Sequence, residues 1–343
     1  MITTVLSGGL IGLIFGFILQ RTRFCLTGGF RDMYIARNNT LFYAFLIAIT
    51  VESIGVLSLI KLGIIGNPYE EFSVLGAIVG SYLFGIGIVL AGGCATGTWY
   101  RAGEGLLGSG VALFFYMTSA AAMKSGFLVP LNQLIAKRWV INDDLAGQLG
   151  IPVWYFLVFL VAITSFVVIR ELRKPRRQIA SLPSKYKGVR HYLFEKTYHK
   201  YFAGLLIGLV AFIAWPASQL TGRVGGLGIT TPSAHLISYI ITGDSKQLGW
   251  GVFLVLGIFL GSFLAAKGSR EFRWRLPDLS TIGKSTLGGI FMGIGASWAG
   301  GCTIGNGLTA TAIFSSKGWI ALPVTILGVW TASHIIFVKP NKN

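Results

Sequence analysis

The chain alternates between apolar stretches of about twenty residues and short segments rich in Gly, Pro or charge. Stretches of that length are too long for strands and match the ~20 apolar residues a helix needs to cross a bilayer. Nine spans are predicted, near 5–20, 41–61, 73–91, 106–125, 151–169, 201–217, 248–266, 285–299 and 318–338. The first lacks a basic leader and a cleavage site, so it reads as a retained helix rather than a signal peptide. Composition points the same way, since 53% hydrophobic residues, 12% charged residues and a mean hydropathy of +0.68 do not describe a water-soluble domain of this length. The fold class is therefore an all-α polytopic membrane protein, a single membrane domain over residues 1–343 with lipid as its solvent.

Charge fixes the orientation. The 29 Lys and Arg against 12 Asp and Glu could signal nucleic acid, but they sit in short loops between apolar spans, so no nucleic-acid partner is expected. The 171–200 loop holds nine Lys or Arg against Glu171 and Glu195, which places it in the cytoplasm. Counting from there, the basic segments 21–39 and 267–284 also fall inside, while Pro68-Tyr69-Glu70-Glu71 and Asp143-Asp144 fall outside. The N-terminus is then periplasmic and the C-terminal tail cytoplasmic.

Two stretches are near copies: Gly87 to Gly97 and Gly295 to Gly305, each closing an Ala-Gly-Gly-Cys run, at Cys94 and Cys302. Gly12 and Gly16 in the first span correspond to Gly204 and Gly208 in the sixth, after which the second half carries an insertion of about sixteen residues. Residues 1–130 and 201–343 thus read as two repeats of four spans, joined by a fifth span and the basic loop over 151–200. An odd number of spans between them makes the repeats inverted, the arrangement in which a solute site forms near midplane from interrupted helices. The glycine-dense breaks cannot face hydrocarbon, because each exposed amide there costs several kcal/mol, so they are predicted to be re-entrant half-helices lining a cavity. Gly92, Gly93, Gly300 and Gly301 would present backbone N–H groups to an anion; the plainer reading of such glycines is close helix packing.

The three cysteines are odd in number and contain no CxxC, which indicates neither a disulfide framework nor a zinc site. A lone cysteine in an apolar helix is ordinarily a small core residue. Here two occupy equivalent places in a repeat, and Cys25 ends a polar break after the first span. Cys25, Cys94 and Cys302 are therefore candidates for a file of neutral thiols offering weak, soft contacts to a permeant sulfur atom, and weak contacts in series favour conduction. Glu52, Arg23, Arg101, Thr96 and Thr303 are candidates for support. Glu52, mid-span, could orient the re-entrant segments or take up a proton. Arg101 could pair with Glu104 at i,i+3 or, like Lys124, reach the headgroups. Arg23 and Arg31 flank Cys25 and would concentrate anions at the inner mouth, although positive-inside placement explains them equally. His235 and His334 look isolated and structural. No P-loop ending occurs in the glycine-rich runs, and neither a haem nor a quinone signature is present. The rival reading is a membrane thiol enzyme working through Cys94 and Cys302.

The segments Gln20 to Asp32, Leu90 to Gly105 and Ala299 to Cys302 resemble the YeeE/YedE family of membrane proteins, over nearly the whole chain. That resemblance implies thiosulfate uptake across the bacterial inner membrane by an hourglass-shaped transporter, not an enzyme, with no cofactor and with the family's pathway cysteines at Cys25, Cys94 and Cys302. It also implies a small cytosolic TusA-like sulfurtransferase, YeeD, as partner, and leaves open another sulfur or selenium oxyanion as substrate. Carrying a dianion inward against an inside-negative potential costs ~4.6 kcal/mol per 100 mV. Import then needs proton coupling or rapid consumption of the sulfur inside.

Overall fold

A computed structural model describes residues 1–173, 188–196 and 198–339. Lys174, Arg176, Arg177, Lys185 and Lys187 of the basic loop, and the tail over 340–343, lie outside the described residues.

All nine predicted spans correspond to long helices, with boundaries shifted by a few residues. The first half contains α1 (Ile2–Thr22), α2 (Leu26–Ile35), α3 (Thr40–Lys61), α4 (Val74–Leu90), α5 (Ala95–Gly103) and α6 (Leu107–Ser125). Two short helices, α7 (Val129–Ala136) and α8 (Leu145–Leu149), lead to the linking helix α9 (Val153–Leu172), and α10 (Val189–Phe194) follows the basic loop. The second half contains α11 (Lys200–Gln219), α12 (Thr230–Thr242), α13 (Trp250–Gly268) and α14 (Leu279–Trp298). A π-helical turn (Gly305–Ala310) and α15 (Ser316–Ser333) complete it. Seven helices among the described residues are long and apolar enough to cross a membrane, and an eighth candidate is α6 with α7, bent by 72°. The remaining predicted span, α14, carries Ser280, Thr281, Lys284, Ser285 and Thr286 near its start. Packing against both α4 and α6 shields much of it from the surroundings. One departure from an all-helical chain is a ribbon of two three-residue strands, β1 (Glu71–Ser73) and β2 (Val140–Asn142), paired antiparallel.

The helix contacts repeat themselves. α1 packs on α13 as α11 packs on α3, and α6 packs on α14 as α15 packs on α4, while α4 and α14 meet each other. The same helix pairings thus occur in both parts of the chain. Small residues set its register. Gly12 lies against Leu254 and Gly16 against Ile258, and in the other half Gly204 lies against Ala44 and Gly208 against Ala48. Both pairs advance by four residues along both helices, one turn of a shared ridge. A Cβ at Gly257 would come within 2.5 Å of the Gly9 carbonyl oxygen and 2.9 Å of the Gly12 Cα, and one at Gly208 would come within 2.7 Å of the Ala48 oxygen. Backbones this close are what glycine permits in helix pairs that cannot rely on water to drive them together.

The segments that charge assigned to one side are physically joined. Arg21 Nε donates to the Leu193 carbonyl at 3.0 Å, Lys200 Nζ to the Thr22 carbonyl at 2.6 Å, and Arg23 pairs with Glu271 at 2.8 Å. At the other end β1 pairs with β2, Tyr69 donates to the Ile313 carbonyl at 2.8 Å, and Ser315 donates to Asp143 at 2.5 Å.

Gly257→Leu and Gly208→Leu should each lower stability by about 1–3 kcal/mol or more, because backbone rather than a flexible side chain meets the new atoms. Gly283→Ala, whose Cβ would have nothing within 4 Å, should be neutral or slightly stabilising. Thermal unfolding of the purified variants in detergent checks all three.

Candidate functional site

The two copied motifs fold the same way. Ala91 caps α4 and Ala299 caps α14, and the following Gly92 and Gly300 have φ of 69° and 70°. That left-handed conformation suits glycine and is strained for other residues, which accounts for the glycine in each run. The chain then turns at Gly93 or Gly301 and reaches a cysteine. Cys94 is the N-cap of α5, where its Sγ accepts from the Gly97 N–H at 3.4 Å. Cys302 precedes the π-helical turn, its carbonyl accepting from the Asn306 N–H at 2.8 Å.

Each turn is pinned by one side chain from its own short helix. In the first half Arg101 Nη1 donates to the Gly92 carbonyl. Asn306 replaces it in the second half, with Nδ2 donating to the Ala299 and Gly301 carbonyls at 2.8 Å and 3.3 Å. Arg101 thus bonds the turn and forms no ion pair with Glu104 among the described residues. It donates to Tyr100 Oη at 3.4 Å, and its guanidinium lies 5.9 Å from the Tyr100 ring centroid. Lys124 is exposed and donates to the exposed Thr231 of α12 at 2.7 Å.

All three cysteines are free and buried, with exposures of 6% for Cys25, 4% for Cys94 and 2% for Cys302. Cys25 is the N-cap of α2, following Arg23 in the left-handed region at φ 51°. Its place in the second half is taken by Ile229, the N-cap of α12. Two of the thiols share a neighbour: a Cβ at Gly97 would lie 3.5 Å from Cys94 Sγ and 3.8 Å from Cys25 Sγ. Cys94 and Cys302 belong to the same buried core. Thr96 and Thr303 are 3% exposed, and their hydroxyls have no hydrogen-bond partner among the described residues. Thr27, which sequence reasoning passed over, is 5% exposed and equally unpartnered. Such a hydroxyl costs about 1–3 kcal/mol when nothing meets it.

Cys302 lies at the wall of a cavity of about 350 Å³. Gly300, Gly301, Asn306 and the Arg223-to-Pro232 segment line it, with Lys317, Glu70 and Asp143. Arg223 holds its own loop, donating to the Gly225 and Gly226 carbonyls at 3.2 Å and 2.9 Å. Asp143 accepts from the Lys317 N–H at 2.8 Å, and burial pushes its carboxyl above the ordinary range against the pull of Lys317. Glu52 is fully buried behind this cavity. One oxygen accepts from Trp215 Nε1 at 3.0 Å, the other has no partner among the described residues, and Trp215 lines the cavity. Asn306, Arg223 and Lys317 were not singled out from sequence, although the Gly-Asn-Gly run at 305–307 marked the first.

An ionic cluster lies beside Cys25 in the chain. Arg23 donates to Glu104 at 2.6 Å and to Glu271 at 2.8 Å, and Gln20 also donates to Glu271 at 2.8 Å. Arg23 thus pairs with two carboxylates, one of which Arg21 also approaches at 3.6 Å. Arg31 similarly pairs with Asp32 at 3.1 Å. Burial works to raise the Glu271 carboxyl, but the Gln20 hydrogen bond and the Arg23 and Arg21 charges outweigh it and leave it below the usual range. His334, read as isolated, shares a 2.8 Å hydrogen bond with Tyr34.

Comparison with known proteins follows this geometry. The sulphur-transport family model matches residues 21–331. The chain is 53% identical over 342 residues to the thiosulfate transporter TsuA of Escherichia coli K12, covering 100% of this chain and 97% of that one. It is 34% identical over 345 residues to the thiosulfate transporter TsuA of Spirochaeta thermophila, covering 96% and 98%.

Gly97→Ala should fold with wild-type stability, because its methyl meets both sulfurs at ordinary contact distance, and should slow alkylation of Cys25 and Cys94 by a small maleimide. Mass spectrometry of the labelled protein reads this. Glu271 stabilises the fold fully above the unfolded glutamate range, and that contribution is lost as pH falls through its depressed folded value. Glu271→Gln should therefore flatten the acid side of the stability profile between about pH 5 and pH 3, measured as thermal midpoint against pH.

Proposed function

The chain belongs to the sulphur-transport family, and from that premise we propose that it is a thiosulfate transporter of the bacterial inner membrane that passes the anion along Cys302, Cys94 and Cys25. The observation that carries this reading is that three free thiols, from three separate chain breaks in both halves, are buried together with a cavity opening on one of them.

Chemistry supports each step. The anion enters the cavity beside Lys317 and Arg223 and meets the Gly300-Gly301-Cys302 turn. A thiol is a weak donor with a polarizable sulfur, so it engages the terminal sulfur of thiosulfate without holding it. Cys94 and Cys25, both beside Gly97, receive it next, and the Arg23–Glu104–Glu271 cluster stands at the exit. The thiols act in their neutral form, since a thiolate file would repel a dianion. Gly92 and Gly300 hold the turns; the bonds from Arg101 to the Gly92 carbonyl and from Asn306 to the Ala299 and Gly301 carbonyls keep the breaks rigid as the anion passes.

The proposed orientation puts the cavity with Pro68, Glu70 and Asp143 on the periplasmic face and the ionic cluster on the cytoplasmic face, with the N-terminus outside and the C-terminus inside. Five long helices, α1, α3, α4, α6 and α9, precede α11, so α11 would cross in the sense opposite to α1. Residues 1–130 and 201–343 are then inverted repeats. Because the membrane potential opposes entry, consumption of the sulfur by a TusA-like partner such as YeeD would drive net import; Glu52 offers a buried carboxyl for proton coupling as the second route.

Cys25→Ala, Cys94→Ala and Cys302→Ala should each cut uptake of labelled thiosulfate into proteoliposomes by about tenfold or more, the ~1.4 kcal/mol of one lost contact in series, with thermal midpoints unchanged. Full uptake by all three variants would remove the thiols from the path.

A further inference from the structure

The mechanism above accounts for the soft end of the anion and leaves its oxygens without named partners. We propose that Thr27, Thr96 and Thr303 form an oxyanion-binding line beside the thiols, their hydroxyls donating to the sulfonate oxygens of thiosulfate while Cys25, Cys94 and Cys302 take the terminal sulfur. This rests on the thiosulfate reading and deepens it.

Each cysteine is followed within two residues by a threonine that is at least nine-tenths buried and whose hydroxyl is unpartnered among the described residues: Cys25 with Thr27, Cys94 with Thr96, and Cys302 with Thr303. Threonines nearby behave differently. Thr98, on the same short helix as Thr96, donates to the Ala95 carbonyl at 2.7 Å, and Thr309 donates to the Leu227 carbonyl at 3.0 Å. Buried polar groups are normally satisfied, so three that are not, each beside a thiol, point to a ligand that completes them.

The repeat supplies an internal control. Ile229 stands where Cys25 stands, and Thr231 stands where Thr27 stands. Where the thiol is absent, the threonine is exposed and bonded to Lys124 at 2.7 Å. At this pair of positions the buried, unpartnered hydroxyl is the one beside the thiol. Thr27 and Thr96 also sit in the first turns of α2 and α5, where free N–H groups and the helix dipole favour negative charge.

A hydroxyl that waits for a ligand destabilises the free protein and helps only when the ligand is there. Thr→Val keeps the shape and removes the hydroxyl. In proteoliposomes, Thr27→Val, Thr96→Val and Thr303→Val should each lower uptake at limiting thiosulfate by about tenfold, the loss of one hydrogen bond to a charged group. Their thermal midpoints without thiosulfate should equal or exceed the wild type's, Thr→Ser should restore uptake, and Thr231→Val should leave it within twofold. Uptake within twofold of wild type in all three Val variants, or earlier unfolding without thiosulfate, would overturn the proposal by assigning the hydroxyls a structural role. Failure of the wild type to carry thiosulfate at all would instead sink the transport reading on which it rests.

Discussion

A chain broken inside a membrane must satisfy its own backbone, and everything distinctive here follows from how two such breaks are closed. After Leu90 and again after Trp298 the helix stops, a glycine turns in the left-handed region, and the chain re-enters a short helical segment. Lipid offers nothing to the exposed carbonyls. Arg101 reaches back to Gly92, and Asn306 to Ala299 and Gly301. One half solves the problem with a charged fork and the other with an amide, which leaves different electrostatics around otherwise similar turns. Because the turns are tied from within, the cysteine that ends each run is held at a fixed place deep in the protein.

The long helices were legible because apolar length is a strong signal, and the halves were legible because Ala-Gly-Gly-Cys occurs twice. The partners of charged side chains were not. Arg101 and Glu104 stand three apart on a helical pattern, yet Glu104 is taken by Arg23 and Arg101 by a carbonyl nine residues back. Sequence spacing describes neighbours on one helix and is silent about chain segments brought together by a fold. The β1–β2 ribbon escaped for a similar reason, since three-residue strands carry too little pattern to be seen. Thr27 was readable in principle: Cys-x-Thr occurs at 25–27 and again at 94–96. What singles it out is burial without a partner, which only coordinates reveal.

The two ends of the molecule divide the electrostatic work. At one end Lys317, paired with Asp143 at 3.8 Å, and Arg223 face a cavity beside a glycine turn. At the other, Arg23 pairs with Glu104 and Glu271 and so ties the chain just before Cys25 to two other segments. Between them lie the thiols, the unpartnered hydroxyls and the glycine turns, with Arg101 held on the Gly92 carbonyl. On the proposed reading such a path would discriminate by softness and shape more than by charge, because no single contact would be strong.

The central claim is that the thiols touch the permeating anion. Alkylation of Cys25, Cys94 and Cys302 by a small maleimide, followed by mass spectrometry with rising thiosulfate, addresses it directly. The account predicts that thiosulfate protects all three cysteines and that sulfate, which lacks a terminal sulfur, protects them far less. Thiosulfate uptake proceeding in the same membranes while labelling of all three stays unchanged would contradict it.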